Sequence, residues 1–219
     1  MSNNKNVFWQ ALVIALIVFW MGILIGIYFE KSRVEKLQDF YFNIETDIFD
    51  FQLASEIIYG FGLSCDSINN ESIYFADKVY WEARQLEKYD NSNKITEELI
   101  SLHRRYDLLR TLLWENVIMA KEKCGGKINT IVYLYQYNNP SLTTKATQGT
   151  MSSLLLDLKG EYGDKIVLIP IAVDTNVESL NALRDFYDLE KTPIIFVNEA
   201  QKFETIDSLK EIRQFLDIN

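Results

Sequence analysis

Hydrophobic and polar positions change rhythm several times along the chain. From Val7 to Phe29 every residue except Gln10 is apolar, a run long enough to cross roughly 30 Å of hydrocarbon as a helix. It closes with Ile27, Tyr28, Phe29 and Glu30 rather than a small-residue cleavage site, so the pattern predicts a retained anchor and not a signal peptide. Trp9 and Tyr28 suit the two interfacial belts. Next, Val34, Leu37, Tyr41, Ile44, Ile48, Phe51, Ser55 and Ile58 alternate spacings of three and four, the seam of a helix packed along its length. This helix is expected to continue from the span and to stop at Gly60, Phe61 and Gly62, with Ser64 to Asn70 forming a turn. A second helix, Glu71 to Tyr89, would turn Ile73, Ala76, Tyr80 and Ala83 inward. A third, Ile95 to Lys123, repeats the seam with Leu99, Leu102, Tyr106, Leu109, Leu113, Asn116 and Ala120. Short connections make such neighbours antiparallel, giving a three-helix segment over residues 31–124.

Beyond Gly125 and Gly126 the period shortens. The pattern predicts strand Thr130 to Tyr135, helix Gly149 to Tyr162, strand Lys165 to Val173 and helix Val177 to Leu189. It then predicts strand Ile194 to Val197, strand Lys202 to Ile206 and a last helix, Asp207 to Leu216, capped by Asp207. The second strand is nearly continuous in Ile, Val and Leu, as a strand covered on both faces should be. Pro193 opens the third strand, where its missing N–H costs nothing, and Thr192-Pro193 is a candidate cis peptide.

With this β-α-β-α-β-β-α order and Thr192-Pro193, residues 125–219 resemble the thioredoxin superfamily. The expected fold is therefore an α/β thioredoxin-like domain behind a transmembrane anchor, residues 1–30, and the helical segment. In redox-active members of that family a Cys-x-x-Cys pair follows the first strand, where a helix N-terminus lowers the thiol pKa. Here Asn139, Pro140, Ser141 and Thr144 fill the loop and it holds no cysteine. Ser141 and Thr144 have the spacing, but hydroxyls at a helix start are usual caps and cannot shuttle electrons, so no catalytic residue is assigned. The resemblance also implies peptide binding through main-chain hydrogen bonds at the loop before the cis-proline, Lys191, Thr192 and Pro193. The 137–144 loop would be the opposite wall.

Charge and composition narrow the alternatives. The formal net charge is −9, from 31 acidic and 22 basic side chains, which excludes a phosphate-neutralising surface and hence nucleic acid as partner. Two cysteines and one histidine cannot supply a four-ligand zinc site, and no spaced carboxylate motif points to another metal; no cofactor is expected. His103, beside Arg104 and Arg105, reads as a surface or half-buried side chain. Cys65 and Cys124 follow the first and third helices, at one end of an out-back-out bundle, and are read as a structural disulfide; two free thiols in a cytoplasmic protein is the alternative. A disulfide favours an oxidising compartment, as does the Asn70-Glu71-Ser72 sequon. Lys31, Arg33 and Lys36 against Lys5 and the amino terminus tilt the other way by one basic group. The expected placement is a single-pass membrane protein with an extracytoplasmic C-terminal part.

Ala11, Ala15, Gly22 and Gly26 fall within about 60° on the spanning helix, a small-residue stripe containing a GxxxG spacing, though glycine is common in such helices. The sequence thus points to a redox-inactive, membrane-anchored adaptor or chaperone-like binder of envelope proteins. An atypical thiol-disulfide oxidoreductase using Cys65 and Cys124, and a scaffold self-associating through the small-residue stripe, are the alternatives. Partners would be the bilayer and another membrane or envelope protein, or a second copy.

Overall fold

The computed structural model describes residues 3–62, 64–90, 97–125, 128–206 and 208–218, with side chains described except at 3–6, 30, 32–41, 83–90 and 98. Val34, Leu37, Tyr41, Ala83, Ile95, Gly126 and the expected cap Asp207, like the flanking charges Lys5, Arg33 and Lys36, therefore lie outside the described residues or side chains. The chain divides into two compact units, residues 1–43 and 44–219.

In the first unit, α1 (Asn3–Gly60) carries Val7–Phe29, a stretch long and apolar enough to cross a membrane, with none of it buried by protein. Ala11, Ala15, Gly22 and Gly26 are all exposed, and a Cβ built at either glycine meets nothing within 4 Å.

The second unit begins with the rest of α1 and continues through α2 (Cys65–Asp90), α3 (Glu97–Cys124), β1 (Asn129–Tyr135) and α4 (Leu142–Tyr162). A 3-10 turn (Gly163–Lys165), β2 (Ile166–Ala172), α5 (Glu178–Phe186), β3 (Ile194–Val197), β4 (Gln201–Phe203) and α6 (Lys210–Arg213) complete it. The sheet is mixed, in the order β2-β1-β3-β4: β1 and β2 are parallel, while β1–β3 and β3–β4 are antiparallel.

Alternation in β1 sends Ile131 and Tyr133 to one face and Val132 and Leu134 to the other. The first face is closed by Met151, Leu155 and Leu158 of α4 with Ile206 and Ile212. On the second face Phe196 meets Trp114 of α3 and Tyr187, at the end of α5, with ring centroids 6.2 and 5.2 Å away. Helix α3 is thus a wall of the bundle and also a cover for the sheet. The second compact unit runs from Ile44 to Asn219 and so takes in both the helical and the α/β elements.

The seam on α3 holds as expected: Leu99, Leu102, Tyr106, Leu109, Leu113, Asn116 and Ala120 are all buried. On α1, Ile44, Phe51, Ser55 and Ile58 are buried and Ile48 is half-buried. The inward face of α2 is instead Ile68, Ser72, Phe75, Ala76 and Val79, with Phe75 stacked on Phe51 at 3.4 Å. This helix starts at Cys65, not Glu71, because the Ser64 hydroxyl accepts from the Ser67 N–H and turns an expected loop into a first turn.

Three other boundaries move. Helix α4 begins at Leu142 rather than Gly149, since Ser141 caps it, accepting from the Thr144 N–H. Within the added turns the Thr147 and Thr150 hydroxyls donate to the Thr143 and Ala146 carbonyls. β4 ends at Phe203 and α6 spans only four residues.

Candidate ligand-facing loop and its buried support

The carboxyl ends of β1 and β2 and the entry to β3 meet at one end of the sheet, because Leu134 pairs with Ile194 and Tyr135 with Ala172. The loop leaving β1 and the Thr192–Pro193 peptide, which is cis, are therefore neighbours.

Backbone donors and side-chain acceptors pin the loop at almost every residue. Gln148 of α4 accepts from the Gln136 N–H at 3.1 Å and donates to its carbonyl at 3.0 Å. Asp174 accepts from the Tyr137 and Asn138 N–H groups at 2.9 and 2.7 Å. Asn139 adopts a left-handed conformation, φ 47°, which asparagine tolerates better than most residues. Ser141 and Thr144 hydroxyls lie 2.8 Å apart and Ser141 is the cap of α4. Both hydroxyls have structural work, and the loop carries no thiol.

Lys191 is exposed and its ammonium donates to both oxygens of Glu204, at 2.9 and 3.0 Å. Thr192 and Pro193 are half-buried, and Leu142, the first residue of α4, is 88% exposed.

Beneath the loop lies a polar cluster that sequence reasoning missed. Asp107 of α3 is fully buried; its carboxylate accepts from the Ala172 N–H at 3.1 Å, the Thr175 hydroxyl at 2.9 Å and the Arg110 guanidinium at 3.3 Å. Burial pushes the Asp107 carboxyl up, and these three donors pull against it. Arg110, also buried, stays cationic: its guanidinium interacts with Tyr135 and Asp107 and lies 4.8 Å from the Tyr106 ring centroid. His103 is buried rather than at the surface, its ring stacked on Tyr137 at 3.7 Å. The sequence reading places His103 at or near the surface because it finds no second histidine and no obvious carboxylate partner for it, and Asp107 is that missed partner. Its own stripe of i, i+4 and i+7 partners, Asp107 and Arg110, was the available signal.

A second polar cluster fixes the other end of β1. Lys121 donates to Glu199 at 2.6 Å and also to Thr130 and Asn198, and Trp114 donates to Glu199 at 3.2 Å. Burial lowers the Lys121 pKa while Glu199 opposes it. Asn198 and Glu199 are both left-handed, and these bonds hold the tight β3–β4 turn.

Cys65 and Cys124 form a disulfide with Cα atoms 5.4 Å apart. It joins the start of α2 to the end of α3, just before β1. The candidate loop follows the other end of β1, roughly 20 Å along the strand. Among the described residues no group of three or more histidine, cysteine or acidic side chains is placed to hold a metal ion.

Along the outer edge of β2, Ile166 donates to the Gly163 carbonyl and accepts from Lys159 at 3.0 Å, Pro170 has no N–H, and Ala172 donates to Asp107.

Comparison with protein-family models, with curated proteins and with solved structures returned no match.

Proposed function

We propose that this chain is a membrane-anchored, redox-inactive thioredoxin-like protein that binds extended segments of envelope proteins as an adaptor or chaperone-like partner. The observation that carries the reading is the loop after β1. Where redox-active relatives of such a fold would need a dithiol, the hydroxyl of Ser141 caps a helix, at the same end of the sheet as the entry to β3, where Lys191 is exposed and Thr192 half-buried. The strand order β2-β1-β3-β4, with one parallel and two antiparallel pairings, supports the thioredoxin-like assignment. So does the position of Thr192–Pro193 at the head of β3.

The cysteines support location rather than catalysis. Both are committed to one bond, 59 residues apart in sequence, at the far end of β1 from the loop. A disulfide of this kind persists in oxidising compartments, which favours an extracytoplasmic position for residues 44–219, with Val7–Phe29 as the anchor.

A photo-reactive residue placed at Lys191 in intact membranes tests the binding reading, with the same probe at Asp157, an exposed position on α4, as reference. Discrete adducts at 191 that are absent at 157 and weakened by Thr192→Pro, which removes the main-chain donor, are expected. Equal adducts at both positions, or none at 191, would rule out that loop as the binding edge. The purified chain is also expected not to accelerate disulfide reduction by dithiothreitol.

A further inference from the structure

The face of α1 turned away from the bundle is apolar as well. At about 100° per residue the buried side chains Ile44, Phe51, Ser55 and Ile58 fall within about 60°, and Phe49, Leu53 and Ile57 fall within about 80° on the opposite side of the helix. Phe49 is 70%, Leu53 56% and Ile57 43% exposed. Residues four apart are neighbours on a helix surface, so the three form one unbroken row. Phe61, 81% exposed, has its N–H bonded to the Ile57 carbonyl and adds a fourth apolar side chain at the same spacing. Contiguous exposed apolar rows of this kind mark interaction sites.

One sign of charge borders the row. Asp50 and Glu56, both exposed, lie about 60° to either side of its centre. Between Ile44 and Phe61 the acidic residues are Glu45, Asp47, Asp50 and Glu56, and none is basic. Arg105 of α3 and Lys78 of α2 pair with Glu45 and Asp47; among the described residues no cation pairs with Asp50 or Glu56. A second copy seated on this face would bring carboxylates to carboxylates in whichever direction it ran, and an anionic lipid surface would be repelled in the same way. Opposite charges flanking an apolar seam are what set partner choice between helices, and like charges select against the wrong one.

We propose that the outward face of α1 is a docking surface for an amphipathic helix of another protein. The apolar seam of that helix meets Phe49, Leu53, Ile57 and Phe61, and lysines or arginines flanking the seam reach Asp50 and Glu56. The row runs over about 18 Å, which a partner helix of about four turns covers. Its apolar side chains supply the attraction, and the two carboxylates turn acidic helices away. This surface lies on the helices and not on the loop after β1, and it takes a folded helix rather than an extended chain.

The test is fluorescence anisotropy of labelled synthetic peptides against the full chain in phosphatidylcholine nanodiscs, with empty discs as the blank. Two helical peptides of about four turns share a leucine seam and differ only in their flanks, lysine in one and glutamate in the other. The lysine peptide is expected to bind about tenfold tighter, a preference that shrinks as salt is added. Leu53→Gln with Ile57→Gln should abolish its binding, and Asp50→Lys with Glu56→Lys should reverse the preference toward the glutamate peptide. Equal binding of the two peptides, binding of neither, unaltered binding in the double glutamine variant or an unreversed preference in the double lysine variant would overturn the proposal. So would an oligomer of the chain, seen by light scattering, that Leu53→Gln with Ile57→Gln disperses, since that result assigns the row to a second copy.

Discussion

Asp107 ties three pieces of chain to one carboxylate: the last residue of β2, the turn holding Thr175, and Arg110 one turn along its own helix. Replacing it with alanine takes the carboxylate from a buried guanidinium and leaves the Ala172 N–H without its acceptor. Removing one member of such a buried pair costs about 3–5 kcal/mol. Thr175→Val removes only one hydroxyl from the cluster and should cost about 1 kcal/mol. Urea unfolding midpoints of the full chain in detergent would show the order Asp107→Ala well below Thr175→Val, itself slightly below wild type; equal losses would mean that the cluster is not organised around the carboxylate. Because Tyr137 stacks on His103 from the same helix, Asp107→Ala should also disturb the loop after β1.

Element by element, the periodic features were legible and the docking of α3 was not. The span, the break at Gly60 and Gly62, the strands of the α/β part and the seam from Leu99 to Ala120 all follow from local spacing, whereas the pairing of Cys65 with Cys124 needed the out-back-out course of three helices and left two free thiols as the alternative. The second stripe of α3 is His103, Asp107, Arg110, Trp114, Val117 and Lys121, and it meets the α/β part. It mixes ionisable residues with a tryptophan, so it lacks the apolar signature of a buried face, and its partners lie up to 85 residues away. Local pattern carries no such information. Cap chemistry explains the other misses: Ser64 and Ser141 extend α2 and α4 into stretches whose composition reads as loop. The disulfide acts at this scale too, closing 59 residues that contain α2 and α3. In the chain-entropy account that is worth about 4 kcal/mol. Denaturant unfolding with and without a phosphine reductant should differ by about that amount, and a difference near zero would mean that the helices are already held by packing alone.

For the molecule as a whole, the shared helix α3 decides what can fold by itself. A chain beginning at Ile128 would keep the cover of α4 over Ile131 and Tyr133 but lose the α3 half of the other cover, baring Phe196 and leaving Thr130 without Lys121. It is expected to bind a hydrophobic dye and to lack near-ultraviolet ellipticity, whereas a chain beginning at Ile44 should show neither defect. A well-ordered short form would instead make α3 an accessory layer. When the anchor and the carboxyl end are pulled apart, tension entering at α1 crosses from Cys65 to Cys124 through a covalent bond, so the intervening helices carry none of the load. Forced extension is then deprived of roughly 200 Å of slack, and the pull passes directly from the turn after α1 to the strand at the centre of the sheet.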